Sequence, residues 1–158
     1  WEFVKSRGIT FVSGVPDSTF KKTYDHMVDD PEIRYVPAVR EDVALGIASA
    51  AYFQGEVGAV IMQNSGIGNV VNPLTSFSLM YQVPVLLIVG WRGYGGPLSD
   101  APEHWVMGTK STEILETLEL PFEILKAEGF EDCIDRLLTT INEKSVPGAL
   151  LIRSGVVL

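Results

Sequence analysis

The sequence has almost no cysteine. Cys133 is the single one among 158 residues, so no internal disulfide can form. Its place in an amphipathic helical pattern reads as a core thiol, and a reducing, cytoplasmic compartment is the expected setting. Histidines are equally scarce. His26 and His104 stand far apart, each without a Cys or His nearby, and no metal site is expected. Positive charge is short: 12 Lys and Arg face 20 Asp and Glu, for a net charge of −8. Such a chain repels nucleic-acid phosphates, and no basic stripe interleaved with aromatics offsets the repulsion. No nucleic-acid partner is expected. Apolar runs such as Val83 to Val89 are far too short to span a bilayer, so no membrane partner is expected either. No signal peptide is visible, and since Trp1 is not a natural start, a short leader is expected ahead of it.

Several familiar signatures are also missing. There is no GxGxxG and no Gly-Lys-Ser/Thr, which removes the dinucleotide fingerprint and the phosphate loop. Ser65 lacks the Gly-x-Ser-x-Gly elbow of serine hydrolases. Internal repeats and low-complexity segments are absent.

What remains is a chain 46% hydrophobic and 20% charged, with enough apolar mass for one core. Short apolar runs alternate with longer amphipathic stretches. Strands are predicted at Ile9 to Val12, Ile33 to Val36, Gly58 to Met62, Val83 to Val89, Phe122 to Leu125 and Ala149 to Ile152. Helices are predicted at Thr19 to Val28, capped by Asp17 or Ser18, and at Glu41 to Phe53, ended by Gly55. Further helices are predicted at Asn69 to Met80 with Pro73 in or near the first turn, at Glu103 to Met107, at Ser111 to Leu118 and at Phe130 to Glu143. A Gly/Pro-rich loop is expected from Gly90 to Pro102. The alternation implies a three-layer α/β/α domain around a mainly parallel sheet of about six strands.

In such sheets ligands bind at the carboxyl ends of the strands. The unusual residues gather there: Gly14 to Ser18, Val39 to Asp42, Gln63 to Gly68 and Gly90 to Gly96. Glu41 heads a helix of small residues and has two readings. It is either a favourable charge on a helix N-terminus or a carboxylate that exchanges a proton with a ligand at a subunit contact. Gln63, Asn64, Ser65 and Gly66 are either a strand-to-helix turn or a polar lip over a substrate or cofactor. Arg92 either pairs with Asp100 or Glu103, or clamps an anion through its guanidinium fork. His104 either starts a helix or carries protons.

The stretches "VPAVREDVALGIASAAY", "MQNSGIGNVVNPLTS", "VPVLLIVGWRG" and "DAPEH" resemble the thiamine-diphosphate enzymes that decarboxylate phosphonopyruvate and sulfopyruvate. The resemblance runs from "GITFVSGVPDS" to "GALLIR" and implies that residues 1–158 form one pyrimidine-binding (PYR) domain. It also implies that Glu41, with Asp42 as the weaker neighbouring candidate, contacts the aminopyrimidine ring of thiamine diphosphate. Gln63, Asn64, Ser65 and Gly66 would wall the cofactor. Asp17, Ser18, Asn64, Ser65 and Arg92 would face a small anionic 2-oxo acid, with His104 as a proton carrier. These enzymes hold Mg2+ and the diphosphate on a second domain whose motif begins Gly-Asp-Gly. No Gly-Asp-Gly occurs here, so that domain is expected on a beta-subunit partner within a hetero-oligomer. The implied product is an aldehyde plus carbon dioxide. A catalytically idle interface subunit, or one acting on another 2-oxo acid, stays as the alternative.

Overall fold

The computed structural model describes residues 1–157. Six strands form one parallel sheet: β1 (Phe11–Gly14), β2 (Arg34–Pro37), β3 (Gly58–Gln63), β4 (Val85–Trp91), β5 (Phe122–Ile124) and β6 (Gly148–Arg153), in the order β2-β1-β3-β4-β6-β5. The helices are α1 (Glu2–Ser6), α2 (Lys21–Asp29), α3 (Glu41–Ser49), α4 (Ile67–Pro73), α5 (Pro102–Thr117) and α6 (Phe130–Lys144). β4 is buried along its whole length, which is why its sequence reads as an unbroken apolar run rather than an alternation.

Two cores flank the sheet. On one face Phe20, Met27, Ile134 and Leu137 carry α2 and α6 onto Ile61, Ile88 and Leu150. On the other, Ala44, Leu45, Ala48, Ile67 and Leu115 carry α3, α4 and α5 onto Val60, Leu87 and Val89. The three-layer α/β/α domain anticipated from the sequence is thus present. Cys133 is buried in the first core, and burial pushes its thiol pKa up, as befits an inert core thiol.

Boundaries moved where local pattern and tertiary packing disagree. α1 was not anticipated. β1 starts two residues later than predicted, since Ile9 is buried just ahead of the strand. Neither Asp17 nor Ser18 caps α2. The cap position is Phe20, with no side-chain bond, and Asp17 is turned toward Gln63 instead. The helix from Glu41 tightens to 3-10 geometry at Ala50–Gln54 and ends at Gly55 in left-handed conformation. The next helix begins not at Asn69 but in a 3-10 turn at Asn64–Gly66 that leads into α4. Pro73 is the last residue of α4 rather than part of its first turn, and from it the helix widens into a π-turn at Leu74–Leu79.

The two short helices predicted around Gly108 are one continuous helix, α5. Gly108 does not break it. A Cβ there would run into the backbone of Gly93, so this glycine serves a close helix-to-loop approach. The Trp91 indole N–H seals the same contact by donating to the Gly108 carbonyl at 2.7 Å.

Candidate functional site

Strand order reverses between β1 and β3, and such reversals open a crevice at the carboxyl ends of the strands. Asp17, just past β1, and Gln63, the last residue of β3, meet there. The Gln63 Nε2 donates to Asp17 Oδ1 at 3.1 Å, and the Ser65 hydroxyl donates to Gln63 Oε1 at 2.8 Å. Asp17 is 9% exposed. Its Oδ2 and the Thr19 Oγ1 are buried with no hydrogen-bond partner. A side chain at Gly90, the residue of β4 paired with Gln63, would collide with both Asp17 and Thr19. Glycine there lets the first loop fold down over β4.

Asn64 is buried and ties three elements together. Its Nδ2 donates to the Arg92 carbonyl at 3.0 Å and to Ser111 Oγ at 2.9 Å, while its Oδ1 accepts from the Arg92 backbone N–H at 3.1 Å. Both N–H donors of the amide and one acceptor direction of its oxygen are therefore used within the protein.

Arg92 follows β4 directly. Its Nε and Nη2 donate to the two oxygens of Asp100, each at 2.6 Å, and its Nη1 donates to Ser18 Oγ at 3.2 Å. Asp100 also accepts from the backbone N–H of Gly93 and Ala101. The Arg92 guanidinium holds the Asp100 carboxyl well below the usual carboxylate range. Of the pairings considered for Arg92, the one with Asp100 is present, as a bidentate fork. Its remaining Nη1 reaches the loop that carries Ser18.

Glu41 is the first residue of α3 and is partly exposed. Its Oε2 accepts from Asn69 Nδ2 at 2.7 Å. On the other side lies Gly66, where an added Cβ would sit 2.8 Å from Glu41 Cδ and 2.9 Å from Oε1. The carboxyl is thus held between a glycine backbone and an amide, and Oε1 accepts no hydrogen bond from the described residues. Asp42 points elsewhere, its two oxygens taken by Arg40 at 3.1 and 2.9 Å. Arg40 accordingly lowers the Asp42 pKa.

The structure therefore joins Asp17, Gln63 and Ser65 in one chain of bonds, and Asn64, Arg92 and Ser18 in another. Glu41 is linked to the same 64–66 turn through Gly66. His104 stands apart. It lies in the first turn of α5, half-buried, with its backbone carbonyl against Gly93, and its ring enters none of these bonds. The residues missed in the sequence reading are Asn69 and Ser111. Asn69 lies 28 positions from Glu41, so only the fold joins them.

These residues form a single open wall. Ser18, Ser65 and Asn69 are exposed. A cavity of about 690 Å3 lies elsewhere, under α2 and α6, and is lined by none of the candidates. Among the described residues no three His, Cys, Asp or Glu side chains gather as a metal ion would require. No helix among the described residues is long and apolar enough to cross a membrane.

A parallel α/β domain with a carboxylate at a helix start and an amide-rich lip at the strand-order reversal defines a class, the cofactor-binding domains of open-sheet enzymes. Within that class, residues 1–113 match the thiamine pyrophosphate enzyme, N-terminal TPP binding domain. The chain belongs to this family, whose cofactor is thiamine diphosphate. Among its relatives is a sulfopyruvate decarboxylase subunit alpha from Methanothermobacter thermautotrophicus, 38% identical over 75% of this chain and 71% of that protein. A phosphonopyruvate decarboxylase from Streptomyces viridochromogenes is 32% identical over 95% of this chain. The chain spans 38% of that protein's length. A sulfopyruvate decarboxylase subunit alpha from Methanocaldococcus jannaschii is 36% identical over 75% of this chain and 69% of that protein.

Proposed function

We propose that the chain is the pyrimidine-holding half of a thiamine-diphosphate-dependent decarboxylase. Its substrate is 3-sulfopyruvate or 3-phosphonopyruvate, and the products are the corresponding acetaldehyde and carbon dioxide. The observation that carries this reading is the Glu41 carboxyl, fixed between Gly66 and Asn69 with Oε1 left without a partner. An acceptor oxygen held in this way fits the ring of an aminopyrimidine, which offers a nitrogen able to share a proton. When bound, thiamine diphosphate supplies the nucleophilic carbon and takes up the electrons released with carbon dioxide.

This chain's residues then have three tasks. Glu41 Oε1 holds and exchanges the proton at the pyrimidine. Gln63, Ser65 and Gly66 form the wall beside the reacting carbons, braced from beneath by the buried Asn64, where neutral amides and hydroxyls suit an anionic substrate. Ser18 and the Nη1 edge of Arg92 form the outer lip toward the sulfonate or phosphonate head, while the buried Asp17 holds Gln63 behind them. His104 serves as a proton carrier.

The diphosphate and Mg2+ are held by a partner chain, a beta subunit with a Gly-Asp-Gly motif. The exposure of Ser18, Ser65 and Asn69 along the open wall supports a second wall from outside. So do the exposed apolar residues on the layer of α3 and α4, including Val39, Val43, Phe53, Met80 and Tyr81. The single free cysteine supports a cytoplasmic setting.

The test is reconstitution. The chain is mixed with a partner carrying Gly-Asp-Gly, thiamine diphosphate and Mg2+, and carbon dioxide release is followed for sulfopyruvate, phosphonopyruvate and pyruvate. Release from one of the two anionic-headed acids by the mixture, and none by either chain alone, is the expected outcome. No release from either acid by the complete mixture overturns the reading.

A further inference from the structure

We propose that Asn69 is a positioning residue that decides which oxygen of Glu41 exchanges the proton. The inference rests on the reading of Glu41 as the proton-exchanging carboxylate. Asn69 sits in α4, one turn after Gly66, and is itself exposed. Its Nδ2 donates to Glu41 Oε2 at 2.7 Å, at the short end of the range for an amide on an ionised oxygen. The amide turns its NH2 to the carboxylate because its carbonyl would set two acceptors face to face.

The consequence is an asymmetry in the carboxyl group. Oε2 faces a donor and keeps its lone pair toward it, so a proton arriving at Glu41 settles on Oε1. Oε1 lies over the Gly66 backbone, where no side chain intervenes. The Gly66 contact fixes the carbon of the group and the Asn69 bond fixes its rotation. Without Asn69 the carboxyl can rotate about its last bond and divide its proton between two oxygens.

The test is a double-mutant cycle on the complete enzyme, this chain with its partner. Thiamine diphosphate affinity is measured by calorimetry on the metal-loaded apoenzyme, and kcat is followed beside it. Asn69→Ala should weaken cofactor binding about ten-fold, the scale of a charge-assisted hydrogen bond. In a Glu41→Ala background the same change should alter affinity less than about two-fold, since the two residues act as one unit. Asn69→Asp should lose more than Asn69→Ala, because it sets a like charge against Glu41. Asn69→Gln, which keeps a donor, should recover part of the loss. An equal loss from Asn69→Ala in both backgrounds, or none in either, overturns the proposal. A Glu41→Ala enzyme with unchanged affinity and turnover would instead remove the reading of Glu41 beneath it.

Discussion

Arg92 carries two duties that a single substitution separates. Its Nε and Nη2 are committed to Asp100, and Nη1 alone is turned to Ser18 at 3.2 Å. Lysine preserves the charge and loses the fork. Arg92→Lys should therefore lower kcat/KM for sulfopyruvate or phosphonopyruvate about ten-fold more than for pyruvate, the worth of one charge-assisted contact. Equal losses on all three acids, together with a lower Tm, would assign Arg92 to Asp100 alone. The pair itself persists through ordinary conditions. Because Arg92 depresses the Asp100 pKa, the pair's contribution to stability is complete above the unfolded value of about 4 and fades only as the solution becomes more acid. At this scale the sequence was informative about residue types and, apart from the Arg92–Asp100 pair eight positions apart, silent about pairings. Glu41, Gln63 and Arg92 were legible because polar side chains at strand ends are conspicuous. The Asn69 bond to Glu41 and the Gln63 bond to Asp17, spanning 28 and 46 positions, depend on which strands are neighbours.

Among the elements, α5 records how packing overrides local propensity. A glycine in a helix interior lowers helix propensity by about 1 kcal/mol relative to alanine, and Gly108 lies in the gap between the two helices expected at Glu103 to Met107 and Ser111 to Leu118. The break does not occur because the helix leans on Gly93 at this point, where neither residue leaves room for a Cβ. Gly108→Ala should therefore destabilise the chain by about 1–3 kcal/mol through overpacking, despite the gain in propensity. Gly46→Ala, in α3 where a Cβ meets nothing within 4 Å, should stabilise by roughly 0.5–1 kcal/mol. Thermal denaturation of the two variants checks the contrast, and equal shifts of Tm would remove the close-approach explanation. The parallel sheet and its two helical layers were readable from periodicity, since β4 and α6 carry strong patterns. The 3-10 turn at Asn64–Gly66 and the π-turn at Leu74–Leu79 carry no such period. The first contains Asn64, whose side chain bonds Arg92, just past β4, and Ser111 of α5, and the second follows Pro73 directly.

For the molecule as a whole, the proposed function sets Glu41 in a site with two walls, of which this chain supplies one. Its carboxyl is oriented before any ligand arrives, by Gly66 and Asn69, while the surface beyond it stays open. The most direct test is Glu41→Gln in the complete complex, with carbon dioxide release measured at saturating cofactor. Glutamine keeps the shape and the packing on Gly66 but cannot exchange the proton. A fall in kcat of about 10²–10⁴-fold, the range for a general acid–base group, is expected, with an unchanged Tm. A loss smaller than about three-fold, far below that range, would contradict it.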